Sequence, residues 1–296
     1  MIKATRAEKV FDVLILALLS FLAIMCVLPM WNVLCVSFSS SADAAAGRVG
    51  LWPVNFTTGS YAYVFKRTQY FTAFRVSVLR TVLGTAISMF VTSITAYPLS
   101  MESSKWKFRG PYVWFFFATM LFGGGLIPFY MVVVALKLVD TIWAMVLPGA
   151  LSVWNVILMM NFMRRLPLEI AESAEVDGAN DWTILWRIYL PMSLPVIATL
   201  TLFTAVGHWN SWFDGLIFMN SPEKYPLQTY LRGITIQIDT AKMKNMTPEE
   251  LILFSRISNR TFTNAQIFIA MVPILAIYPF LQKFFVKGIT LGSVKE

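Results

Sequence analysis

VLILALLSFLAIMCVLPMWNVLCV, residues 13–36, contains no charged side chain and exceeds the 20 or so apolar residues that carry a helix across a bilayer. Lys3 and Lys9 precede it and Ala42-Asp43-Ala44 follows, flanks that resemble those of a secretory signal. A signal core is only about 7–15 residues long, so the run is expected to remain as a signal-anchor helix. Five further segments share its character: residues 76–99, 112–136, 142–163, 194–219 and 265–285. The expected fold class is all-α and integral to a membrane, with six transmembrane helices.

Composition agrees. Of 296 residues, 57% are apolar and 14% charged, with a mean hydropathy of +0.65, whereas soluble domains carry roughly 25% charged residues. That balance excludes a conventional soluble enzyme, a disordered chain and a small disulfide scaffold. The net charge is +8 and the pI about 9.5. The basic residues sit in small groups beside apolar runs: Lys3, Arg6 and Lys9, then Lys105, Lys107 and Arg109, then Arg164 and Arg165. Such flanking cations meet anionic lipid at span ends and form no aromatic-interleaved patch, so no nucleic acid is expected. Cys26 and Cys35 lie about 13 Å apart along one helix, too far for a disulfide, and read as buried apolar thiols. With one histidine, His208, no metal-ligand set can be assembled.

Six spans put both termini on one side. Short connections at 100–111 and 164–192 alternate with long ones at 37–75 and 220–264, and a tight turn falls at 137–141. Lys and Arg are denser in the short loops, which places these loops and both termini in the cytoplasm. On the outer side, Thr247-Pro248-Glu249-Glu250 reads as a capping box before a short amphipathic helix. Residues 51–65 carry Trp52, Phe56, Tyr61, Tyr63 and Phe65, an aromatic set suited to the outer interface.

The cytoplasmic loop 164–192, RRLPLEIAESAEVDGANDWTILWRIYLPM, is too long for a plain connector of two to eight residues. Pro167 suits a helix start, Glu169 and Glu172 favour its N-terminal end, and Gly178 suits the left-handed residue that closes it. Asp181 is expected to cap a second helix over residues 182–189, stopped by Pro191. A helix–turn–helix with small residues at its tip can seat in a groove on another protein.

Glu172-Ser173-Ala174, Asp177-Gly178-Ala179, Ile188 and Leu190-Pro191 resemble the EAA loop of ABC importer permeases, with Ser173 where alanine is usual. Ala96-Tyr97-Pro98-Leu99-Ser100, Pro128-Phe129-Tyr130, Trp209-Asn210 and Tyr225-Pro226-Leu227-Gln228 are similar to sugar-importer permeases of the maltose type, in particular the MalG-like subunit. The tail, YPFLQKFFVKGITLGSVK, looks closest to a branch serving complex or uronate-containing oligosaccharides. The resemblance implies a type I ABC importer permease fold in a bacterial cytoplasmic membrane. It implies an N-terminal helix and outer loop over 1–73, a permease core over 74–280 and a cytoplasmic tail over 281–296. It also implies that Glu172, Ser173, Ala174, Asp177, Gly178 and Ala179 couple the chain to an ATP-binding subunit. The implied partners are a MalF-like second permease, two ATP-binding cassette subunits, a solute-binding protein and a carbohydrate. The alternatives are an ABC importer for another solute and an ion-coupled secondary transporter.

The chain has no Gly-Lys dipeptide and so no Walker A loop, which assigns ATP and Mg to partner subunits and leaves no catalytic role here. Polar residues inside spans are the functional candidates. Asn210 and Asp214, four apart, are expected to share one helix face flanked by Trp209 and Trp212, and could line a sugar path. Asn155 is a further candidate, although interhelical hydrogen bonding is the commoner role of lone amides. His208, Ser211 and Asp214 do not form a hydrolytic triad on one helix, because His208 and Asp214 diverge by about 120°. A secondary transporter needs paired intramembrane charges, and Asp214 is the charge this reading finds.

Overall fold

The computed structural model describes residues 6–236 and 259–293, whose regular elements are all helices. They are α1 (Arg6–Ser37), α2 (Ser41–Ala45), α3 (Gly59–Lys66), α4 (Thr68–Ser100) and α5 (Arg109–Leu121). Then come α6 (Leu126–Ala135), α7 (Ile142–Val146), α8 (Val153–Met163) and α9 (Leu168–Val176). The last are α10 (Asp181–Met192), α11 (Leu194–Asn210), α12 (Phe213–Phe218), α13 (Leu227–Ile236) and α14 (Asn259–Ser293). The capping box at 247–250 lies outside the described residues.

Three of the apolar runs are single long helices, with apolar windows at Lys9–Ser37, Thr68–Ser100 and Arg260–Ile277. The other three are not the continuous helices their hydropathy suggests. Residues 112–136 divide at Gly123-Gly124-Gly125, and α5 and α6 meet at 113°. Residues 142–163 divide into α7 and α8 around Pro148-Gly149, because proline removes an amide donor and glycine weakens a helix. Residues 194–219 stop at Asn210 and restart at Phe213, with Ser211 extended. Hydropathy measures how apolar a run is and says nothing of whether its hydrogen-bond ladder is continuous.

The chain forms two compact units, Met1–Tyr70 with Gly233–Val272 and Phe71–Arg232 with Pro273–Glu296. In the first, α1 exposes nearly every large apolar side chain from Val10 to Leu28. Cys35 is buried and its thiol points at the Leu51 carbonyl (3.3 Å), whereas Cys26 is exposed, contrary to the expectation of two buried thiols. The segment after α1 is built around Asp43, whose carboxylate accepts from Ser40 Oγ and Asn55 Nδ2 (2.7 Å) and pairs with Arg48 (3.0 Å). The Ser40 hydroxyl, then the Asn55 amide, hold that carboxyl below the usual range. Phe38 stacks between Phe56 and Tyr61, and Trp52 remains largely exposed, as an interfacial aromatic should be.

In the second unit, Ala96, Val156, Met159 and Leu200 of α4, α8 and α11 close a core that also buries Ala171, Ile184 and Leu185 of the 164–192 loop. A second core joins Val133, Ala144, Met145, Phe218 and Met219. Beside it, Asp140 sits at φ 60° in the 137–141 turn. Its carboxylate accepts from the Asn220 and Ser221 amides (3.0 and 3.1 Å), from Ser221 Oγ (2.9 Å) and from Lys224 Nζ (2.6 Å). The Lys224 ammonium and the Ser221 amide are the main reasons its carboxyl is held far below the ordinary range. A depressed carboxylate pKa stabilises the fold above the unfolded pKa and loses that contribution as pH falls through the folded value. Asp140→Asn tolerates the left-handed backbone but removes the charge. Its thermal midpoint in detergent is expected to lie below wild type at pH 7, with the gap narrowing below about pH 4; a gap independent of pH would show that charge plays no part.

Candidate functional site

The largest cavity described lies in the second unit, has a volume of about 430 Å³ and is lined from α4, α7, α8, α11 and the α11–α12 break. Its decisive side chain is Arg80, in the middle of a spanning helix and only 2% exposed. Arg80 Nη1 donates to Asp214 Oδ1 (3.1 Å) and to the Ser211 carbonyl (3.2 Å), and Nη2 pairs with Asp214 Oδ2. Asp214 Oδ1 also accepts from Ser211 Oγ and the Gly215 amide, both at 2.9 Å.

Arg80 lies in the second apolar run, and a charge within a span is a functional signal by default. Paired intramembrane charges are therefore present, and Asp214 does not stand alone. Asp214 and Asn155 do line the cavity; Asn155 Nδ2 donates to Thr204 Oγ1 (3.1 Å). Asn210, Trp209 and Trp212 are not among its lining residues. The break at Ser211–Trp212 separates Asn210 from Asp214, so they do not share a helix face. Trp209 is buried edge-on against Phe74 (5.6 Å), and the Arg232 guanidinium covers the Trp212 ring at 3.5 Å. The flat apolar walls come instead from Phe129, Phe203 and Phe218, alongside polar Ser88, Thr204 and His208.

His208 reaches its position because Gly84 has no side chain. A Cβ on Gly84 would stand 2.5 Å from His208 Nε2. The Ser211 hydroxyl donates to Asp214 (2.9 Å).

The 164–192 loop is the second site. Helix α9 closes with the Gly178 amide donating to the Glu175 carbonyl (3.0 Å) and the Ala179 amide to that of Ala174 (2.9 Å). This is a Schellman motif, with Gly178 at φ 84°. Glu172, Ser173, Asp177 and Gly178 face outward, while Ala174 and Ala179 pack on the core. Asn180 is the cap of α10, its Oδ1 accepting from the Thr183 amide (2.8 Å); Asp181 is instead the first helical residue. Pro191 does not stop α10 either. The ladder widens to a π turn over Leu185–Tyr189, which accommodates the missing proline donor, and the chain bends by 81° after Met192. Lys105 Nζ reaches across to Glu175 Oε1 and Oε2 (2.7 and 2.9 Å), and that partner raises the Lys105 pKa. Val176 is 88% exposed, and Trp182 and Trp186 are also open.

A polar, charge-bearing cavity among spanning helices, together with an outward-facing capped helix pair, defines a solute permease. The chain belongs to the family of binding-protein-dependent transport system inner membrane components, which matches residues 1–291. It is 41% identical to Protein LplC of Bacillus subtilis (strain 168) over 98% of this chain and 97% of that protein. It is 39% identical to the Polygalacturonan/rhamnogalacturonan transport system permease protein YtcP of the same organism, over 97% and 99% of the two chains. In fold it matches a chain from the crystal structure of a bacterial ABC transporter involved in the import of the acidic polysaccharide alginate. The TM-score there is 0.85 at 30% identity, covering 96% of this chain and 100% of that one. The chain is a permease subunit of an ABC importer.

Gly84→Ala forces His208 to shift and is expected to cost about 1–3 kcal/mol of stability, read as a lower thermal midpoint in detergent. Gly207→Ala, where a Cβ meets nothing within 4 Å, is the control and should leave the midpoint unchanged or higher.

Proposed function

We propose that this chain forms half of the translocation path of an importer for acidic oligosaccharides. A binding protein delivers the cargo, and two ATP-binding cassette subunits drive the cycle. The carbohydrate assignment is supported by the names of the relatives and by a cavity whose aromatic walls and hydrogen-bonding groups suit sugar faces and hydroxyls. In this reading the three continuous and three interrupted apolar segments make six crossings, with both termini in the cytoplasm of a bacterial cell. Residues 74–280 are the permease core, a MalF-like partner supplies the other half of the path, and the tail from 281 reaches the ATP-binding subunits. ATP and Mg stay on those subunits.

The observation that carries the coupling claim is Val176, 88% exposed beside the Gly178 turn. An apolar side chain held outward on a capped helix end is suited to a groove on a partner. Because Ala171, Ile184 and Leu185 anchor the loop in the same core as α4, α8 and α11, a push on the tip is transmitted to the helices that line the cavity. ATP-driven closure of the partner subunits then biases the bundle between two packings.

Gly178→Asp adds a charged side chain where nothing lies within 4 Å but at φ +84°, so Gly178→Asn, which carries the same left-handed backbone strain without the charge, is the control that separates docking from folding. The Gly178→Asp variant is expected to insert and to assemble with the partner permease, while losing binding-protein-stimulated ATP hydrolysis in proteoliposomes. Unchanged stimulation refutes the docking role. A purified wild-type chain that never carries an ATPase refutes the importer assembly.

A further inference from the structure

Arginine has five N–H donors in a planar fork. Three of those of Arg80 are engaged: two on Asp214 and one on the Ser211 carbonyl. The Nε–H has no partner although the atom is fully buried, and by count the second N–H of Nη2 is also unused. These two donors lie side by side on the planar group, on a different edge from the one that holds Asp214. A carboxylate is the group whose two oxygens match such an edge. Leaving a buried charged donor unsatisfied costs on the order of 1–3 kcal/mol or more, and Arg80 lines the cavity.

We propose that this free edge of Arg80 is where the path takes hold of a carboxylate on its cargo, the uronate group of an acidic sugar. The assignment rests on the carbohydrate-importer reading above and adds to it the residue that distinguishes acidic from neutral sugars. Asp214 does not have to leave. Its Oδ1 keeps the Ser211 hydroxyl and the Gly215 amide, so its charge stays solvated by fixed donors while Arg80 bridges two carboxylates. The Arg80 Nε is fully buried in this structure, so the contact belongs to a state whose path is open to that edge. Sharing the cation also weakens its grip on the cargo, and a transport site must bind loosely enough to release.

The test uses the complete importer, with its partner permease, ATP-binding subunits and binding protein, in proteoliposomes. Initial uptake of trigalacturonate and of its neutral carboxyl-reduced counterpart, galactotriose, is measured at saturating loaded binding protein, each relative to wild type. Arg80→Lys keeps the charge and loses the fork. The ratio of trigalacturonate to galactotriose uptake is expected to fall roughly 10- to 100-fold. Equal loss for both sugars, or no loss, overturns the proposal and leaves Arg80 a clamp between α4 and Asp214. Asp214→Asn is a second readout that needs no neutral sugar: Arg80 then has no competing anion, so the KM for trigalacturonate falls. A KM unchanged or raised overturns the site. A wild-type importer that moves neither sugar overturns the carbohydrate reading itself, and the site with it.

Discussion

Inside a bilayer every main-chain polar group has to find its partner within the protein, because no water is present to take it. A helix broken at membrane depth therefore has to be repaired by side chains. The break between α11 and α12 leaves Ser211 and its carbonyl outside either helix, while the Trp212 carbonyl already accepts from the Leu216 amide of α12 (3.1 Å). Arg80 donates to the Ser211 carbonyl and the Thr229 hydroxyl to that of Trp212 (2.7 Å). The repair brings a guanidinium from α4 to the cavity, where Asp214 neutralises it. The cavity, its charged pair and the direction of the following chain all follow from that interruption. Thr229 itself sits where it does because Gly215 has no side chain: a Cβ there would lie 2.3 Å from Thr229 Oγ1.

The membrane class, the long helices and the shape of the 164–192 loop were legible in the sequence. Apolar run length decides the first two, and the third follows from local rules: a Gly at φ 84° closes α9 where a left-handed residue was needed. What escaped were features set by distant neighbours. A helical wheel drawn through residues 210–214 assumes an unbroken helix, so it aligns Asn210 with Asp214 and misses the Ser211 carbonyl that holds Arg80. Arg80 itself was visible as a charge in the second span, but only its partner across 134 positions shows that it is buried and paired. Pro191 misled for a related reason, since a proline can be absorbed by widening the ladder to a π turn instead of ending the helix.

The loop is tied to the rest of its unit by two kinds of interaction of unequal weight. The Lys105–Glu175 pair is short, yet its side chains are 35% and 45% exposed, and such pairs contribute roughly 0–1 kcal/mol. Ala171, Ile184 and Leu185 are nearly inaccessible, and fully burying side chains of the larger aliphatic kind stabilises by about 1.5–3 kcal/mol each. The packing therefore holds the loop on its helices, and the ion pair adjusts its orientation.

The first helix obeys a different logic. Its side chains from Val10 to Leu28 resemble those of the core in composition, but they meet almost nothing of their own chain, whereas Met159 and Leu200 are wholly enclosed. In the core, one methylene more or less is felt, because shape has to match shape. Where lipid surrounds a helix, Leu, Ile, Val and Phe are interchangeable so long as the stretch stays apolar and helical. One chain thus carries two substitution rules written in the same alphabet. A leucine in α1 and one in α11 are the same residue type read by two different surroundings.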